Sequence, residues 1–246
     1  MVESGLLSAT KVQDTHMAPV AFASTPHGLE RRAHGEFMAR HRHCRPYASV
    51  VVRGGFEEAG DRGRRFVAAG DALLHGPFEA HLDRFTSKAG AAIFGFELPE
   101  GFEPPAAFVS VRDPDFIVRV ATRHAEDALP ALLAMASARR DQATDWPDLL
   151  SEALTRDPNL SLRRWADHHG LAPATVSRGF RQVYGVSPNA FRAQARAKLA
   201  WSLVVNGQNS LSAIAAEAGF ADQSHMTRGV RAITAVTPGA WRGKVK

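Results

Sequence analysis

Two histidines in the N-terminal half are spaced in a way that could support metal or ligand chemistry. His41 and His43 are two residues apart, so on a β-strand both imidazoles point to the same side. If the strands around them close into a barrel, His81 can join the pair. Three imidazoles suit Zn²⁺, Fe²⁺, Ni²⁺ or Cu²⁺ and leave one position open for water or a ligand. The pattern therefore allows a metal sensor or a metal-dependent activity.

Two other interpretations of these histidines stay open. They can line an effector pocket and hydrogen-bond a polar or anionic ligand, or they can be interior or surface histidines without a ligand. The candidate effector-binding residues are His41, His43, Tyr47 and His81. The sequence shows no nucleophile elbow, phosphate loop, zinc-protease helix or paired catalytic carboxylates in a supporting context. We therefore expect no enzyme and no cofactor, with the three-histidine metal site as the alternative.

The basic residues concentrate at the C-terminal end of the chain. Residues 151–246 carry a formal net charge of +8, and residues 1–150 carry −3. A basic segment attached to a mildly acidic body is typical of a nucleic-acid-binding module. The alternative is a solvated basic surface without a partner.

The same segment contains two copies of one helical unit. The stretches SRGFRQVYGVSPNAFR (177–192) and TRGVRAITAVTPGAWR (227–242) are identical at seven of sixteen positions, with an offset of 50. Upstream the offset is 49, and the matched pairs are Leu162/Leu211, Ala166/Ala215 and Gly170/Gly219. The repeat predicts two helical units joined by a helix over roughly Pro188–Asn206.

Each copy has the residue types that a helix-turn-helix needs. In the first copy Ala166 allows two helices to approach closely, and Gly170 supplies the positive φ that ends the first helix. Val176 then anchors the second helix across the first. The second copy has the same types at Ala215, Gly219 and Met226.

The second helix of such a unit enters the major groove and contacts base edges with its N-terminal, outward residues. Those residues are Ala174, Thr175, Ser177 and Arg178 in the first copy, and Gln223, Ser224, His225, Thr227 and Arg228 in the second. Better candidates for phosphate contacts are Arg181, Arg192, Arg231, Arg242 and Lys244. For each of these side chains the alternative is a solvated surface residue, and Arg178 and Arg228 can instead tie adjacent helices together.

The last 85 or so residues resemble the DNA-binding domain of the AraC/XylS family of bacterial transcription regulators. The residues that carry the resemblance are Ala215, Gly219-Phe220, Gln223-Ser224-His225, Thr227-Arg228, Thr237-Pro238 and Trp241. The resemblance implies two helix-turn-helix units on one connecting helix, bound to adjacent major-groove segments on one face of promoter DNA.

The segment departs from the family pattern at four positions. Gly179 and Gly229 lie inside the second helices, where glycine costs about 1 kcal/mol relative to alanine. Thr234 and Ala235 stand where the family usually has an aromatic residue and a glycine. We therefore expect the second unit to be less rigid than the first.

The same family usually carries an N-terminal cupin-like β-barrel that binds an effector or dimerises. Short apolar stretches separated by Gly, Asp and Pro over residues 33–98 also predict a β-sandwich or small barrel. The residues that resemble the two cupin motifs are Gly35, His41-Arg42-His43, Gly54, Gly70-Asp71 and His81. The metal-binding glutamate that the cupin pattern places near Tyr47 is missing.

The predicted fold class is multidomain: an all-β cupin-like barrel, a helical linker, and an all-α domain with two helix-turn-helix units. The predicted parts are a flexible arm (1–20), a cupin-like effector-binding or dimerisation domain (21–112), a helical linker (113–156) and an AraC-type DNA-binding domain (157–246). The linker has apolar residues at helical spacing, so we expect two or three helices. These helices either mediate dimerisation or pack against the β domain.

The predicted function is sequence-specific regulation of transcription, with activation and repression both left open. The expected partners are promoter double-stranded DNA, a small-molecule effector, RNA polymerase and a second copy of the chain. No apolar run approaches the roughly 18 residues of a membrane span, and no secretory signal is evident. The single cysteine, Cys44, excludes an intramolecular disulfide. We therefore expect a cytoplasmic protein without membrane contact.

Overall fold

The computed structural model describes residues 20–104, 106–138, 145–157 and 159–244. The predicted flexible arm thus lies outside the described residues, apart from Val20. The N-terminal part is built from strands: β1 (Ala21–Phe22), β2 (Gly28–Arg32), β3 (Phe37–Arg42), β4 (Tyr47–Gly60), β5 (Gly63–Ala68), β6 (Asp71–His75), β7 (Ala80–Arg84), β8 (Ala91–Glu97) and β9 (Phe108–Val111). The prediction that this half is all β is confirmed, whereas its cupin-like identity stays a prediction.

The long strand β4 belongs to two sheets. Its first half pairs antiparallel with β6 and β8, and its second half pairs antiparallel with β5 and β7. The pairing with β8 shifts register between Val51 and Arg53, and such an irregularity bends a strand. One sheet contains β1, β3, β7, β4 and β5, and the other contains β2, β8, β4, β6 and β9. The bend in β4 therefore leaves the two sheets facing each other across a cavity.

Two helices follow the sheets, as the spacing after Asp113 predicts. The Asp113 side chain accepts a hydrogen bond from the Phe116 backbone N–H at 2.8 Å and so caps α1 (Pro114–Arg123). After a short 3-10 turn, α2 (Ala128–Met135) brings Leu132 beside Ile117 in the core of the β domain. This contact favours packing on the β domain over dimerisation for these helices.

One element of the predicted linker is not helical. Ala136–Ala138 form a short strand, β10, which pairs antiparallel with β9. Pairing with an available sheet edge outweighs the helical preference of these alanines. The next helix, α3 (Trp146–Arg156), packs with its Leu150 and Leu154 on the C-terminal helices.

The C-terminal helices reproduce the predicted repeat. They are α4 (Leu162–His168), α5 (Pro173–Tyr184), α6 (Pro188–Asn206), α7 (Leu211–Glu217), α8 (Gln223–Thr234) and α9 (Pro238–Lys244). Helices α4 and α7 start 49 residues apart and α5 and α8 start 50 apart, as the sequence offsets predict. The connecting helix α6 has the predicted bounds. Gly170 and Gly219 adopt φ values of +65° and +76° in the two turns.

Each unit has its own core, and α6 contributes to both. Val176 and Phe180 of α5 pack with Trp165 of α4 in the first unit. Met226 and Val230 of α8 pack with Ala215 of α7 in the second. The prediction of two helix-turn-helix units is therefore confirmed. No helix in the described ranges is both long enough and apolar enough to cross a bilayer.

The two mid-helix glycines allow aromatic rings to approach the second helices. A Cβ atom on Gly179 would lie 2.5 Å from Cζ2 of Trp146, so the indole of α3 occupies that space. A Cβ atom on Gly229 would lie 3.1 Å from Cε1 of Phe220. Packing of an aromatic ring therefore offsets the helix-propensity cost of each glycine. The ring lies closer in the first unit, at Gly179, than in the second, at Gly229.

We expect Gly179→Ala to destabilise the protein by about 1–3 kcal/mol, because overlap with the indole outweighs a gain of roughly 1 kcal/mol in helix propensity. Gly229→Ala is the matched control at the equivalent position, where the smaller overlap gives a result closer to neutral. Urea denaturation measures both free energies of unfolding. Equal losses in the two variants would contradict this account.

The departure at Ala235 has a direct structural consequence. Gly185 ends α5 in the left-handed conformation, with φ +75°, and Ala235 ends α8 in the same conformation, with φ +60°. A residue with a Cβ atom pays roughly 1–2 kcal/mol there, whereas glycine does not. The second unit therefore carries local backbone strain that the first unit lacks.

We expect Ala235→Gly to stabilise the protein by about 0.5–1 kcal/mol, since relief of strain exceeds the added entropy of the unfolded chain. The matched control is Ala232→Gly, at an exposed position inside α8, which should lose about 1 kcal/mol. Thermal unfolding of both variants gives the comparison. A loss of stability at position 235 would show that the alanine is not strained.

Candidate nucleic-acid interface and β-domain cavity

The first candidate reading surface lies on α5. Val176, Phe180 and Tyr184 face the core, which leaves the opposite side of the helix to solvent. All five predicted DNA-contacting side chains of this unit are exposed: Ala174, Thr175, Ser177, Arg178 and Arg181. Because α5 begins at Pro173, four of these five lie in its first two turns. The helix thus presents its N-terminal half outward, as a major-groove helix must.

The second candidate reading surface, on α8, matches in most positions. The Asp222 side chain caps α8 by accepting a hydrogen bond from the His225 backbone N–H at 2.7 Å. The exposed predicted residues are Gln223, Ser224, Arg228 and Arg231, whereas Thr227 and His225 are partly buried. The His225 ring packs edge-on against Phe220, with centroids 5.1 Å apart. His225 is therefore less available to a base than the sequence pattern suggests.

The arginines differ in how they are engaged. Within the described part of the chain, neither Arg178 nor Arg228 makes a hydrogen bond or ion pair, so the geometry gives no support to a helix-tying role. Arg192, predicted as a phosphate contact, donates instead to the Leu160 carbonyl at 2.8 Å and to Oδ1 of Asn189 at 2.7 Å. Its guanidinium is thus used to tie α6 to the segment before α4.

The second candidate site is the cavity between the two sheets, which measures about 260 Å³. The predicted effector residues His41, His43, Tyr47 and His81 all lie in its wall and are all buried. The ring centroids of His41 and His43 are 5.0 Å apart, and those of His41 and His81 are 4.3 Å apart. The Tyr47 hydroxyl lies 3.3 Å from Nε2 of His81. The structure therefore brings the four predicted residues together.

Other ionisable groups at or beside this cavity were not among the predicted effector residues. Glu58 and Asp83 line it, and His75 adjoins it with its ring stacked on Tyr47 at 4.5 Å. Glu58 Oε2 and His75 Nε2 are 3.3 Å apart. The sequence did carry a signal for Glu58, because Phe56 and Glu58 are two residues apart on β4 and therefore face the same side of the strand. Their partner strands, however, follow only from the sheet pairing.

Burial keeps most of the imidazoles neutral. Burial, together with the neighbouring His41 and His75, lowers the pKa of His43 to about 4. Burial, together with the neighbouring His75, His41 and His43, holds the pKa of His81 well below its usual range. Neutral imidazoles can accept a hydrogen bond or bind a metal ion.

His75 behaves differently because two carboxylates lie beside it. Burial lowers its pKa, but the charges of Glu58 and Glu79 outweigh burial, and the net shift is upward. Burial and Glu58 together raise the pKa of the Asp83 carboxyl well above its ordinary value. The imidazoles that line the cavity are therefore held neutral, whereas His75 beside it is paired with two carboxylates.

The three histidines expected from the cupin pattern fit a metal ion by donor type. His41, His43 and His81 each offer a ring nitrogen, and these atoms lie within 4.8 Å of one another. His41 Nδ1 lies 2.9 Å from the Ala39 carbonyl oxygen, an arrangement that orients ligand imidazoles in metal sites. Nδ1 of His81 has no hydrogen-bond partner among the described residues. The expected carboxylate is absent at Tyr47.

Strands β3 and β7 separate this cavity from the DNA-binding helices. His41, His81 and Asp83 point into the cavity. The alternate residues Arg40, Leu82 and Arg84 contact the C-terminal domain instead. We call these two strands the shared wall. A single layer of backbone therefore separates the cavity from α5.

The shared wall caps the end of the first reading helix. Arg84 donates to the carbonyl of Val183 at 3.1 Å and also to that of Gln182. Arg40 lies 3.4 Å from the carbonyl of Tyr184 and donates to Oε1 of Gln194 on α6. Cations are favourable at a helix C-terminus, where backbone carbonyls lack intrahelical partners. The orientation of α5 is therefore held from the β domain.

A second connection reaches the connecting helix. Lys198 of α6 donates to Oε1 of Glu79 at 2.6 Å, and Oε2 of Glu79 lies 3.9 Å from Nδ1 of His75. Phe78, next to Glu79, packs edge-on against Trp201 and Trp241. The β domain thus touches both helix-turn-helix units while their candidate reading faces stay exposed.

The C-terminal geometry agrees with comparisons to known proteins. Residues 165–244 match the family model of a helix-turn-helix domain. The virulence regulon transcriptional activator VirF of Yersinia enterocolitica is 38% identical over 77 residues, which is 31% of this chain and 28% of VirF. The HTH-type transcriptional regulator ExsA of Pseudomonas aeruginosa is 39% identical over 69 residues, 28% of this chain and 25% of ExsA. The chain thus spans about a quarter of the length of these relatives.

A solved structure is similar over a larger share of the chain. ToxT of Vibrio cholerae aligns with a TM-score of 0.41 and 10% identity, covering 87% of this chain and 96% of that one. At this level of similarity the cavity and its residues have to be interpreted from their own geometry.

The contacts between the shared wall and α5 predict that a substitution in the β domain affects the stability of that helix. We expect Arg84→Ala to speed amide hydrogen exchange in the last turn of α5, because two of its carbonyls lose their cap. The last turn of α8 should be unaffected. Arg45→Ala is the matched control, since Arg45 pairs with Glu97 on the exposed surface of the β domain. Unchanged exchange in α5 would mean that the cap does not stabilise the helix.

Proposed function

We propose that this chain, whose C-terminal segment is an AraC/XylS-type helix-turn-helix domain, is a sequence-specific regulator of transcription that binds promoter DNA with both units. One observation carries the proposal. Arg178 and Arg228 occupy equivalent positions on the two second helices, exposed and without partners in the described structure. Free guanidinium groups at the N-terminal half of such helices can hydrogen-bond guanine bidentately.

The contacts divide between sequence reading and anchoring. Ala174, Thr175 and Ser177 accompany Arg178 in the first unit, and Gln223 and Ser224 accompany Arg228 in the second. Arg181 and Arg231 lie one helical turn later and are assigned to phosphates, which position the domain without reading sequence. Affinity should therefore fall steeply with salt as these contacts release counterions.

We further propose that a small polar molecule in the β-domain cavity controls this binding. His41, His43, Tyr47 and His81 would bind it, with neutral imidazoles as acceptors or donors. If the ligand binds more tightly when the shared wall is in one position, its binding increases the fraction of molecules that have the wall in that position. Arg40 and Arg84 of the shared wall bind the C-terminal end of α5, the first reading helix. The orientation of α5 towards DNA therefore changes when the wall moves.

The remaining partners complete the proposal. A homodimer, contact with RNA polymerase and a cytoplasmic location are supported by the family resemblance of the C-terminal segment. Metal sensing is a second candidate function, favoured by the three buried imidazoles of His41, His43 and His81, whose nitrogen atoms converge.

The first experiment is selection of binding sites from a random DNA library by the full-length protein at two salt concentrations. We expect a bipartite motif, one part for each unit. Arg178→Ala and Arg228→Ala should each cost roughly 1–3 kcal/mol on the selected site and relax the preference at different bases. The reason is that each arginine reads a separate half of the site.

Arg123→Ala is the matched control, because it removes one exposed positive charge from α1, away from both reading helices. Its affinity and motif should equal those of the wild type. An equal loss on every sequence would reassign the two arginines to phosphates. Salt-sensitive binding without any motif would contradict sequence-specific regulation.

A further inference from the structure

A second cluster of possible metal ligands overlaps the expected three histidines. Glu58 of β4, His75 of β6 and His81 of β7 are all more than nine-tenths buried. Each offers one ligand atom, and the three atoms lie within 4.8 Å of one another. We propose that these three residues bind one divalent transition-metal ion, with Zn²⁺ the best match. The proposal rests on metal sensing, the second candidate function above, and assigns the ion to a different set of ligands.

The spacing of two of the ligand atoms fits tetrahedral zinc. Zinc binds imidazole nitrogen and carboxylate oxygen at about 2.0–2.2 Å, which places two ligands of a tetrahedron about 3.3–3.5 Å apart. Glu58 Oε2 and His75 Nε2 are separated by 3.3 Å. An ion can therefore take the place of the proton between them with little movement of either strand.

Charge favours this set over the three histidines alone. Three neutral imidazoles leave both charges of the ion uncompensated inside the protein, where an uncompensated charge is costly. A set with the Glu58 carboxylate halves that charge. Glu58 thus supplies, from a different strand position, the carboxylate that the cupin pattern places near residue 47.

Tyr47 acts as a support for the ligands in this arrangement. Its ring stacks on His75 with an interplanar angle of 15°, and its hydroxyl lies 3.3 Å from Nε2 of His81. Both ligand rings are therefore held by one buried side chain.

Residues next to the proposed ligands connect the site to the DNA-binding domain. A carboxylate beside the second nitrogen of a ligand histidine is a common feature of zinc sites. Glu79 lies 3.9 Å from Nδ1 of His75 and accepts from Lys198 of α6 at 2.6 Å. Binding of an ion by His75 therefore acts on the ion pair that joins the β domain to the connecting helix.

Direct metal binding by the full-length protein tests this site. Protein stripped with a chelator is titrated with Co²⁺, whose visible absorption reports tetrahedral coordination, and Zn²⁺ is then added as a competitor. We expect one ion per chain. Glu58→Gln and His75→Gln should each weaken binding by about 100-fold or more, since each removes a ligand.

His43→Ala is the matched control, because His43 belongs only to the three-histidine set. It should bind Co²⁺ within about threefold of the wild type. Loss of binding in this variant with little effect of Glu58→Gln would assign the ion to the three histidines and overturn the proposal. No binding of Co²⁺ or Zn²⁺ at micromolar concentration would also overturn it.

Two further measurements separate this proposal from others. Glu79→Gln should weaken Zn²⁺ binding about tenfold and abolish the effect of Zn²⁺ on DNA affinity. DNA affinity of the metal-free protein, with Arg178→Ala as reference, reports the proposed regulator function independently. Circular dichroism checks the fold of each variant, and His75→Gln serves as the ligand-removing variant if Glu58→Gln unfolds.

Discussion

The docking of the shared wall onto α5 is the contact on which the rest of the structure depends. Strands β3 and β7 place polar residues in the cavity on one side, and on the other they place Arg40, Leu82 and Arg84 against the C-terminal domain. Strand alternation makes this possible, since neighbouring residues point to opposite faces. Leu82 closes the apolar contact with α3, α5 and α6, and the arginines satisfy carbonyls at the end of α5. One wall of the cavity and the contacts at the end of α5 are therefore formed by the same ten or so residues of backbone.

The two helix-turn-helix units share a plan but are stabilised differently. In the first, the Tyr184 hydroxyl donates to Asp148 at 2.8 Å and lies 2.9 Å from Ser151 Oγ, so α3 becomes part of the unit. In the second, Thr234 stands at the equivalent position and accepts from the indole N–H of Trp241 at 3.0 Å. The first unit is fastened to the rest of the protein through α3 and the shared wall. The second unit contacts the β domain through Phe78, which packs against Trp241 of α9.

Charge alternates along a line from the cavity to the connecting helix. Glu58, His75, Glu79 and Lys198 follow one another with opposite signs when His75 is protonated. Each member is at least partly buried, so the contacts between neighbours are partly shielded from water. This line joins the wall of the cavity to the ion pair between Glu79 and Lys198 of α6. This gives the cavity a second route to the DNA-binding domain, distinct from the shared wall.

The sequence alone determined the helical elements of the C-terminal segment and which of its residues are candidates for DNA contact. The offset repeat predicted the helix-turn-helix units and the bounds of α6, because a local repeat carries its turns, caps and core positions with it. It also located the exposed arginines, since helical periodicity separates core from surface. Only the tertiary structure showed that Glu58 and His75 stand beside His81, that Trp146 fills the space left by Gly179, and that Arg84 caps α5. These contacts join residues from 6 to 99 positions apart, and their partners follow from strand register and domain docking, which no local pattern encodes.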